Sequence, residues 1–167
     1  MDFKKIIKQI EASSEFKKWK KENPKAYLAH AFIMSDEKGN GEWQVGYFNP
    51  KDELMTTAII CDNKVDLKCC DEIFKKPETK IGELELDKVK IGYDDSCKIA
   101  EEFRKKEYKQ ELPLKTIAVL QNLEEHGIVW NLTYLTMKLN TLNIKIDAST
   151  GKIKHYELTS LMQFKAG

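Results

Sequence analysis

Apolar residues recur at helical spacing near the start of the chain, where they form one stripe of Phe3, Ile6, Ile7 and Ile10. This period predicts an amphipathic helix over about residues 2–11. Phe16 and Trp19 fall on another face if that helix continues, so we expect a restart at Ser13, because a serine hydroxyl can cap free amides at a helix start. Pro24 then ends a second short helix near residue 22.

The rest of the first half is rich in branched and aromatic residues, which is typical of strands. The segments 26–34, 42–49 and 54–61 predict three strands, and a short fourth strand is expected around residues 65–67. A polar loop with two glycines separates the first two strands. We therefore predict helical structure followed by an antiparallel meander of four strands.

The second half repeats this order after a connection at residues 71–92, which carries one proline, two glycines and many charges. We expect one extended piece in it, near residues 83–91. A helix is predicted over about residues 94–108, since its first residues are acidic and suit a helix N-terminus. Four more strands are expected at residues 114–122, 127–136, 141–148 and 152–161. The turn before the last strand contains Gly151, which can take a positive φ.

The two halves share an aromatic pair in their second strands. Trp43 and Tyr47 correspond to Trp130 and Tyr134, which suggests an internal duplication, although convergent strand composition could produce the same pattern. We predict an α+β fold of two helix-plus-four-stranded antiparallel units, with sheets curved around their helices and packed together or joined edge to edge. The expected ranges are 1–70 for the first unit, 71–92 for the connection and 93–167 for the second unit.

Charge and composition exclude several classes of protein. The 167 residues include 28 basic and 27 acidic ones, and Arg104 is the single arginine, which argues against sequence-specific nucleic-acid binding. The N-terminus lacks the unbroken apolar run of a secretory signal, and no segment reaches the roughly 18 apolar residues of a membrane span. We therefore expect a cytoplasmic protein with its four cysteines as thiols, and their spacing fits no zinc site.

The sequence contains no nucleophile motif, phosphate-binding loop or dinucleotide fingerprint, so we expect no catalytic residue, metal or cofactor. The candidate ligand-binding residues are His30, Trp43, Tyr47, Trp130, Tyr134 and His155. Aromatic side chains suit such a role because they bury much area with little loss of conformational freedom. The alternative for the four aromatic residues is a place in the core beneath the helices, and for His30 it is that of a satisfied core histidine.

Three stretches of the second half, LDKVKIGYDDSCKIAEEF, WNLTYL and NIKIDASTGKI, resemble a PepSY-type domain, the small helix-and-sheet module of peptidase propeptides and related proteins. The resemblance covers residues 86–158. In that family an aromatic strand precedes a strand that ends in Asp-Ala, then a turn with glycine and a short final strand. The insertion LTMKLNTL departs from the pattern. The resemblance implies a cystatin-like curved sheet around a helix, and a role in binding or inhibition without catalytic residues.

These observations predict a non-enzymatic binding or regulatory protein that engages a peptide or protein partner through a sheet face or a free strand edge. The alternative is a small-molecule binding protein or an enzyme with an aromatic-lined pocket. We expect no membrane partner and no nucleic acid, and the sequence leaves a homo-oligomer open.

Overall fold

Three α-helices and eight β-strands form the part of the protein that the structure describes, residues 2–72 and 80–162 of a computed structural model, with the backbone alone for residues 69–72. The helices are α1 (Phe3–Ala12), α2 (Ser14–Glu22) and α3 (Tyr93–Glu107). The strands are β1 (Tyr27–Ser35), β2 (Gly41–Asn49), β3 (Leu54–Cys61), β4 (Lys64–Glu72), β5 (Pro113–Leu123), β6 (Gly127–Thr136), β7 (Asn140–Asp147) and β8 (Ile153–Ser160). The predicted helices and strands are confirmed, and β4 is longer than expected.

Side chains cap the N-termini of α1 and α2, as the sequence indicates at Ser13. Asp2 Oδ1 accepts a hydrogen bond from the amide of Lys4 (3.0 Å), and Ser13 Oγ accepts one from the amide of Phe16 (3.1 Å). These bonds satisfy amides that have no partner inside a helix. The extended backbone of Ser13 separates the two helices, so that Phe16 and Trp19 are buried although they lie off the stripe of α1.

All eight strands belong to one antiparallel sheet with the order β4-β3-β2-β1-β5-β6-β7-β8. The two meanders are joined edge to edge by β1 and β5, where Phe32 lies opposite Val119 and Ile33 opposite Ala118. The α+β class is therefore confirmed, and of the two arrangements expected, packed sheets or sheets joined edge to edge, the strands adopt the second and form one continuous sheet. Pairing β1 with β5 satisfies two strand edges that separate sheets would leave open. The division into units at 1–70, 71–92 and 93–167 stays a prediction.

The connection differs in part from the sequence expectation at residues 83–91, where a 3-10 turn (Leu86–Lys88) interrupts the predicted extended piece, while Glu85 and Val89 on its two sides keep an extended backbone. Leu84 and Val89 are buried on the two sides of this turn. The amides of Lys90 and Ile91 both donate to the carbonyl of Ala148 (2.9 and 2.8 Å). The spaced apolar residues thus anchor a loop to the core instead of adding a strand to the sheet. Residues 73–79 of the connection lie outside the described residues.

The helices pack on one face of the sheet and bury a core that crosses the junction of β1 and β5. The ring of Phe3 in α1 contacts both Trp43 and Trp130, with ring centroids 6.0 and 5.3 Å away. The two indole rings also contact each other at 6.3 Å. Tyr93 of α3 packs on both indoles as well, at 5.1 and 5.8 Å. The two halves of the chain therefore share one core.

Candidate functional site

The four aromatic residues predicted as ligand contacts lie in the core beneath the helices. Trp43, Tyr47, Trp130 and Tyr134 are each more than nine-tenths buried. Trp130 Nε1 donates to the carbonyl of Ile91 (2.8 Å), and the Tyr47 hydroxyl donates to Glu11 Oε1 (3.2 Å). This is the core arrangement that the sequence leaves as the alternative for these residues. A contact of any of them with a ligand stays a prediction.

The two histidines predicted with them lie on other surfaces. His30 alternates with the buried residues of β1, so it faces away from the helices, and its ring packs against Gly46 of β2. Burial lowers the pKa of His30, which keeps the imidazole neutral at pH 7. His155 is exposed in β8, where its ring stacks on His126 with centroids 5.9 Å apart and its Nε2 lies 4.0 Å from Glu157. The six predicted residues therefore do not form one site.

The sheet face opposite the helices carries an apolar band across the junction of β1 and β5. The band consists of the half-exposed or exposed side chains of Phe32, Met34, Ile59, Ile117 and Val119. Beside it, Asn143 Nδ2 donates to Asn131 Oδ1 (2.6 Å) and Thr133 Oγ1 (2.8 Å), and Lys145 Nζ donates to Asn143 Oδ1 (2.6 Å). This face changes from apolar at its centre to polar and hydrogen-bonded near β7.

Strand β8 is an outer strand of the sheet and pairs with β7 along its inner edge. The amide of Leu161 donates to the carbonyl of Leu139 (3.0 Å). Leu139 and Leu161 continue the pairing of β7 with β8, because Asn140 lies opposite Ser160. Hydrogen-bonded pairs alternate along antiparallel strands, so Thr159 and Glu157 direct their backbone groups to β7. The residues that direct their N–H and C=O groups away from β7 are Tyr156, Leu158 and Ser160. No strand of the described residues pairs with this side of β8.

Aromatic side chains line the helix side of this edge. Tyr156 contacts Phe103 and Tyr108, which lie near the end of α3, with ring centroids 4.8 and 6.3 Å away. Helix α3 packs on β6 and β7, and beyond it Tyr156 is 51% exposed and Leu158 is 39% exposed. We define the β8 edge site as Phe103, Tyr108, Tyr156 and Leu158 together with the outward backbone groups of β8.

Further apolar side chains are exposed around the C-terminal end of β8, namely Leu112, Met137, Leu139 and Met162. The amide of Met137 donates to the carbonyl of Leu112 (2.9 Å), which holds the segment before β5 against the turn between β6 and β7. Leu139 in that turn has a φ of +58°, a conformation that a bulky side chain rarely adopts. The apolar side chain of Leu139 is therefore exposed on a strained stretch of backbone.

Two open clefts lie at the border of helices and sheet, and each reaches one of the predicted tyrosines. The first has a volume of about 660 Å³, lies between α3 and the ends of β1 and β5, and is lined in part by Tyr93 and Tyr134. The second, of about 550 Å³, lies between α2 and residues 83–87 and is lined in part by Tyr47. Burial raises the pKa of Tyr134 and of Tyr47 far above that of a free phenol, so both hydroxyls keep their protons at neutral pH.

Sequence reasoning missed the β8 edge site. A signal was present in the last strand, IKHYELTS, because its apolar residues are too few for a strand with neighbours on both sides. Phe103 packs against the core from the inner side of α3. Its contact with Tyr156 depends on the strand order, which periodicity along the chain does not encode.

Within residues 2–72 and 80–162, no helix has both the length and the apolar character needed to cross a membrane. No protein-family model matches the sequence, and no curated protein matches it. Among solved structures, the chain is similar to a crystal structure described as that of "a putative lipoprotein" from Clostridium difficile 630. The likeness covers 86% of this chain and 90% of that chain, with a TM-score of 0.55 and 13% sequence identity. At this identity it shows a shared fold and nothing more.

Proposed function

We propose that this protein is a non-enzymatic binding module that takes up an extended segment of a partner protein by strand addition at the β8 edge site. The observation that carries the proposal is that Tyr156 and Leu158 present both outward backbone groups and exposed apolar side chains. A strand added there pairs its backbone with β8 and packs alternate side chains beside Tyr156, Leu158 and Phe103.

Two kinds of interaction stabilise such a complex. Each backbone hydrogen bond contributes about 1 kcal/mol net. Full burial of an exposed tyrosine or leucine side chain contributes roughly 1.5–3 kcal/mol. The loss of freedom of a flexible peptide opposes both terms. We therefore expect a dissociation constant on the order of micromolar for a segment of five or six residues.

The charges beside the edge define the chemistry of the partner. Glu157 has a 67% exposed side chain, and His155 Nε2 lies at 4.0 Å from its carboxylate. Opposite charges on directly paired residues stabilise antiparallel strands, so a basic residue is favoured opposite Glu157. The preferred segment has apolar residues at alternate positions on the helix side and a lysine or arginine on the other side.

Selection from a displayed library of random octapeptides tests the proposal. We expect enriched peptides with apolar residues at alternate positions. Titration of the best peptide into ¹⁵N-labelled protein should shift the backbone amides of Tyr156, Leu158 and Ser160. The proposal is contradicted if no peptide is enriched, or if the shifts fall on the apolar band around Phe32 instead.

Three variants separate the edge from the rest of the sheet. Leu158→Pro removes an outward N–H and leaves the pairing of β8 with β7 intact, so it should weaken the peptide at least about tenfold. Leu158→Lys introduces a charge into the β8 edge site and should weaken peptide binding too. The matched control is Met34→Lys, because Met34 is an exposed apolar residue (44%) on the opposite face. Equal losses in Leu158→Lys and Met34→Lys would rule out the β8 edge site.

We also propose that the second half is a PepSY-like, cystatin-like unit and that the two halves arose by duplication. Helix α3 is followed by four consecutive antiparallel strands, which supports the first idea. The equivalent pairings of Ile33 with Trp43 and of Leu120 with Trp130 support the second. Both ideas agree with a role in binding.

We propose a cytoplasmic location for the protein. The free thiols of Cys61 and Cys97 support a reducing compartment, and the side chains of Cys69 and Cys70 lie outside those described. Fractionation of cells that carry an epitope-tagged copy tests this location. Recovery with the membranes would contradict it, and would agree with the word lipoprotein in the description of the similar structure.

A further inference from the structure

The cleft between α3 and the ends of β1 and β5 contains a hydroxyl without a partner. Tyr134 is only 4% exposed, yet its hydroxyl makes no hydrogen bond to the residues that the structure describes. In that part of the chain every fully buried side-chain nitrogen and oxygen has a partner, so the Tyr134 oxygen must reach the open space of the cleft. Tyr47 in the second cleft differs, since its hydroxyl donates to Glu11.

The wall of this cleft is acidic. It contains one ammonium group, on Lys115, and the carboxylates of Asp36, Glu37, Asp94 and Glu101. Hydrogen bonds from Asn40 lower the pKa of Asp36, and hydrogen bonds from Arg104 lower that of Glu101, so both stay ionised. Even when Arg104 neutralises Glu101, the wall keeps an excess of negative charge.

The N-terminus of α3 adds a positive potential that is too small to reverse this balance. A helix N-terminus is equivalent to about half a positive charge. Asp94 and Asp95 in the first turn of α3 offset it. The cleft therefore attracts cations rather than anions.

We propose that this cleft binds an organic ammonium ion, whose N–H group donates a hydrogen bond to the Tyr134 hydroxyl while the carboxylates of the wall supply long-range attraction. The rings of Tyr93 and Tyr134 add aromatic surface that favours a cation. Leu114 and Met137 line the same cleft and provide apolar contacts for an alkyl chain. This chemistry is shared by a free diamine and by a lysine side chain of another protein.

Calorimetric and NMR titrations at low salt test the proposal with three probes. The probes are 1,5-diaminopentane, N-acetyl-lysine methylamide and the neutral 1,5-pentanediol. We expect saturable binding of at least one ammonium probe, weaker binding at high salt and no binding of the diol. Stronger binding of the diamine identifies a free amine as the ligand, and stronger binding of the lysine derivative identifies a protein side chain. Lack of saturation with both ammonium probes, or equal binding of the diol, would overturn the proposal.

Two matched tyrosine variants locate the site. Tyr134→Phe removes the hydroxyl that has no partner and should lower the affinity for the ammonium probe about tenfold, because a hydrogen bond to a charged group is lost. Tyr47→Phe is the control and should leave the affinity unchanged. Thermal melts of both variants check that they still fold, and equal effects of the two variants on affinity would overturn the proposal. Leu158→Pro should not change ammonium binding, so this inference and the strand addition at β8 can fail separately.

Discussion

His30 and Gly46 occupy neighbouring positions on the sheet face opposite the helices. They are directly paired across β1 and β2. The His30 ring fills the space where a Cβ at position 46 would lie. A glycine in a strand often marks such a close approach by a neighbouring group. The space above Gly46 explains how the imidazole of His30 can be largely buried on a face that no helix covers.

Gly46→Ala is expected to destabilise the protein by about 1–3 kcal/mol, because the new methyl group clashes with the His30 ring. Urea unfolding measures this change in the free energy of unfolding. In a His30→Ala background the same substitution should have little effect. An equal loss in both backgrounds would show that atoms other than the ring oppose the methyl group.

His30 should also make stability depend on pH. Burial lowers its pKa in the folded protein, so below the ordinary histidine pKa the unfolded chain binds the proton more strongly. The contribution of His30 to the free energy of unfolding is complete above about pH 6.5. It decreases as the pH falls from there, by at most about 1.4 kcal/mol per pH unit. We expect His30→Gln to have a flatter profile than the natural protein in urea unfolding between pH 5 and 7.5. Parallel profiles would contradict this.

Leu139 combines an exposed apolar side chain with a left-handed backbone conformation. Leu139→Gly should stabilise the protein by about 0.5–1 kcal/mol, since glycine adopts a positive φ without strain. Thermal unfolding measures the effect. The neighbouring Lys138→Gly is the control and should destabilise the protein, because Lys138 has no positive φ to relieve. A loss of stability in Leu139→Gly would mean that its side chain packs on the fold.

Helix α3 is tied to the sheet by the buried side chain of Arg104. Its Nε and Nη2 donate to Glu101 (2.8 and 2.6 Å), and its Nη1 donates to the carbonyl of Glu111 (3.2 Å). The Glu111 carboxylate in turn accepts from Thr136 Oγ1 (2.7 Å) and Asn140 Nδ2 (3.0 Å). This network connects α3 to β6 and β7. It therefore also holds in place Phe103 of α3, whose ring borders the β8 edge site.

Arg104→Lys should destabilise the protein by about 2 kcal/mol, although the charge is kept. An ammonium group cannot reproduce the planar fork that reaches Glu101 and Glu111 together. Chemical unfolding measures the loss. Lys105→Ala is the control, because Lys105 pairs with the same Glu101 at 3.7 Å on the surface and should change stability by less than about 0.5 kcal/mol. Equal losses would show that charge, and not geometry, determines the effect.

Local patterns predicted the elements well because each element reflects its own periodicity and capping residues. Ser13 and Gly151 behave as the sequence indicates, the first as an N-cap and the second with a φ of +77°. The failure at residues 83–91 has a physical cause, since spaced apolar residues fit a strand and a buried loop equally well. The network around Arg104 joins residues far apart in the chain, which periodicity cannot reveal.

The pairing of β1 with β5 makes one sheet of the described strands, and Phe3 joins the two indole rings above it. We therefore expect the protein to unfold in urea in a single transition, with fluorescence and far-UV circular dichroism giving the same midpoint. Trp130→Phe should lower the midpoint for both probes. Two separate transitions would instead support two independent units at 1–70 and 93–167.

The arrangement of the strands was the part that the sequence could not supply. The apolar patterns predict both meanders, but they leave open whether the meanders are packed together or joined edge to edge. The consequence for the candidate site is direct. The chemistry of Trp43 and Trp130 predicts contacts with a ligand, whereas the shared core buries both residues. No pattern in the sequence distinguishes Tyr156, and its place on an outer strand exposes it.

The strand order places β4 and β8 at opposite ends of the row, with seven inter-strand spacings, or about 33 Å measured along the sheet, between them. A strand added along β8 and a strand added along β4 would therefore pair with different edges of the sheet, so that neither would block the hydrogen bonds of the other.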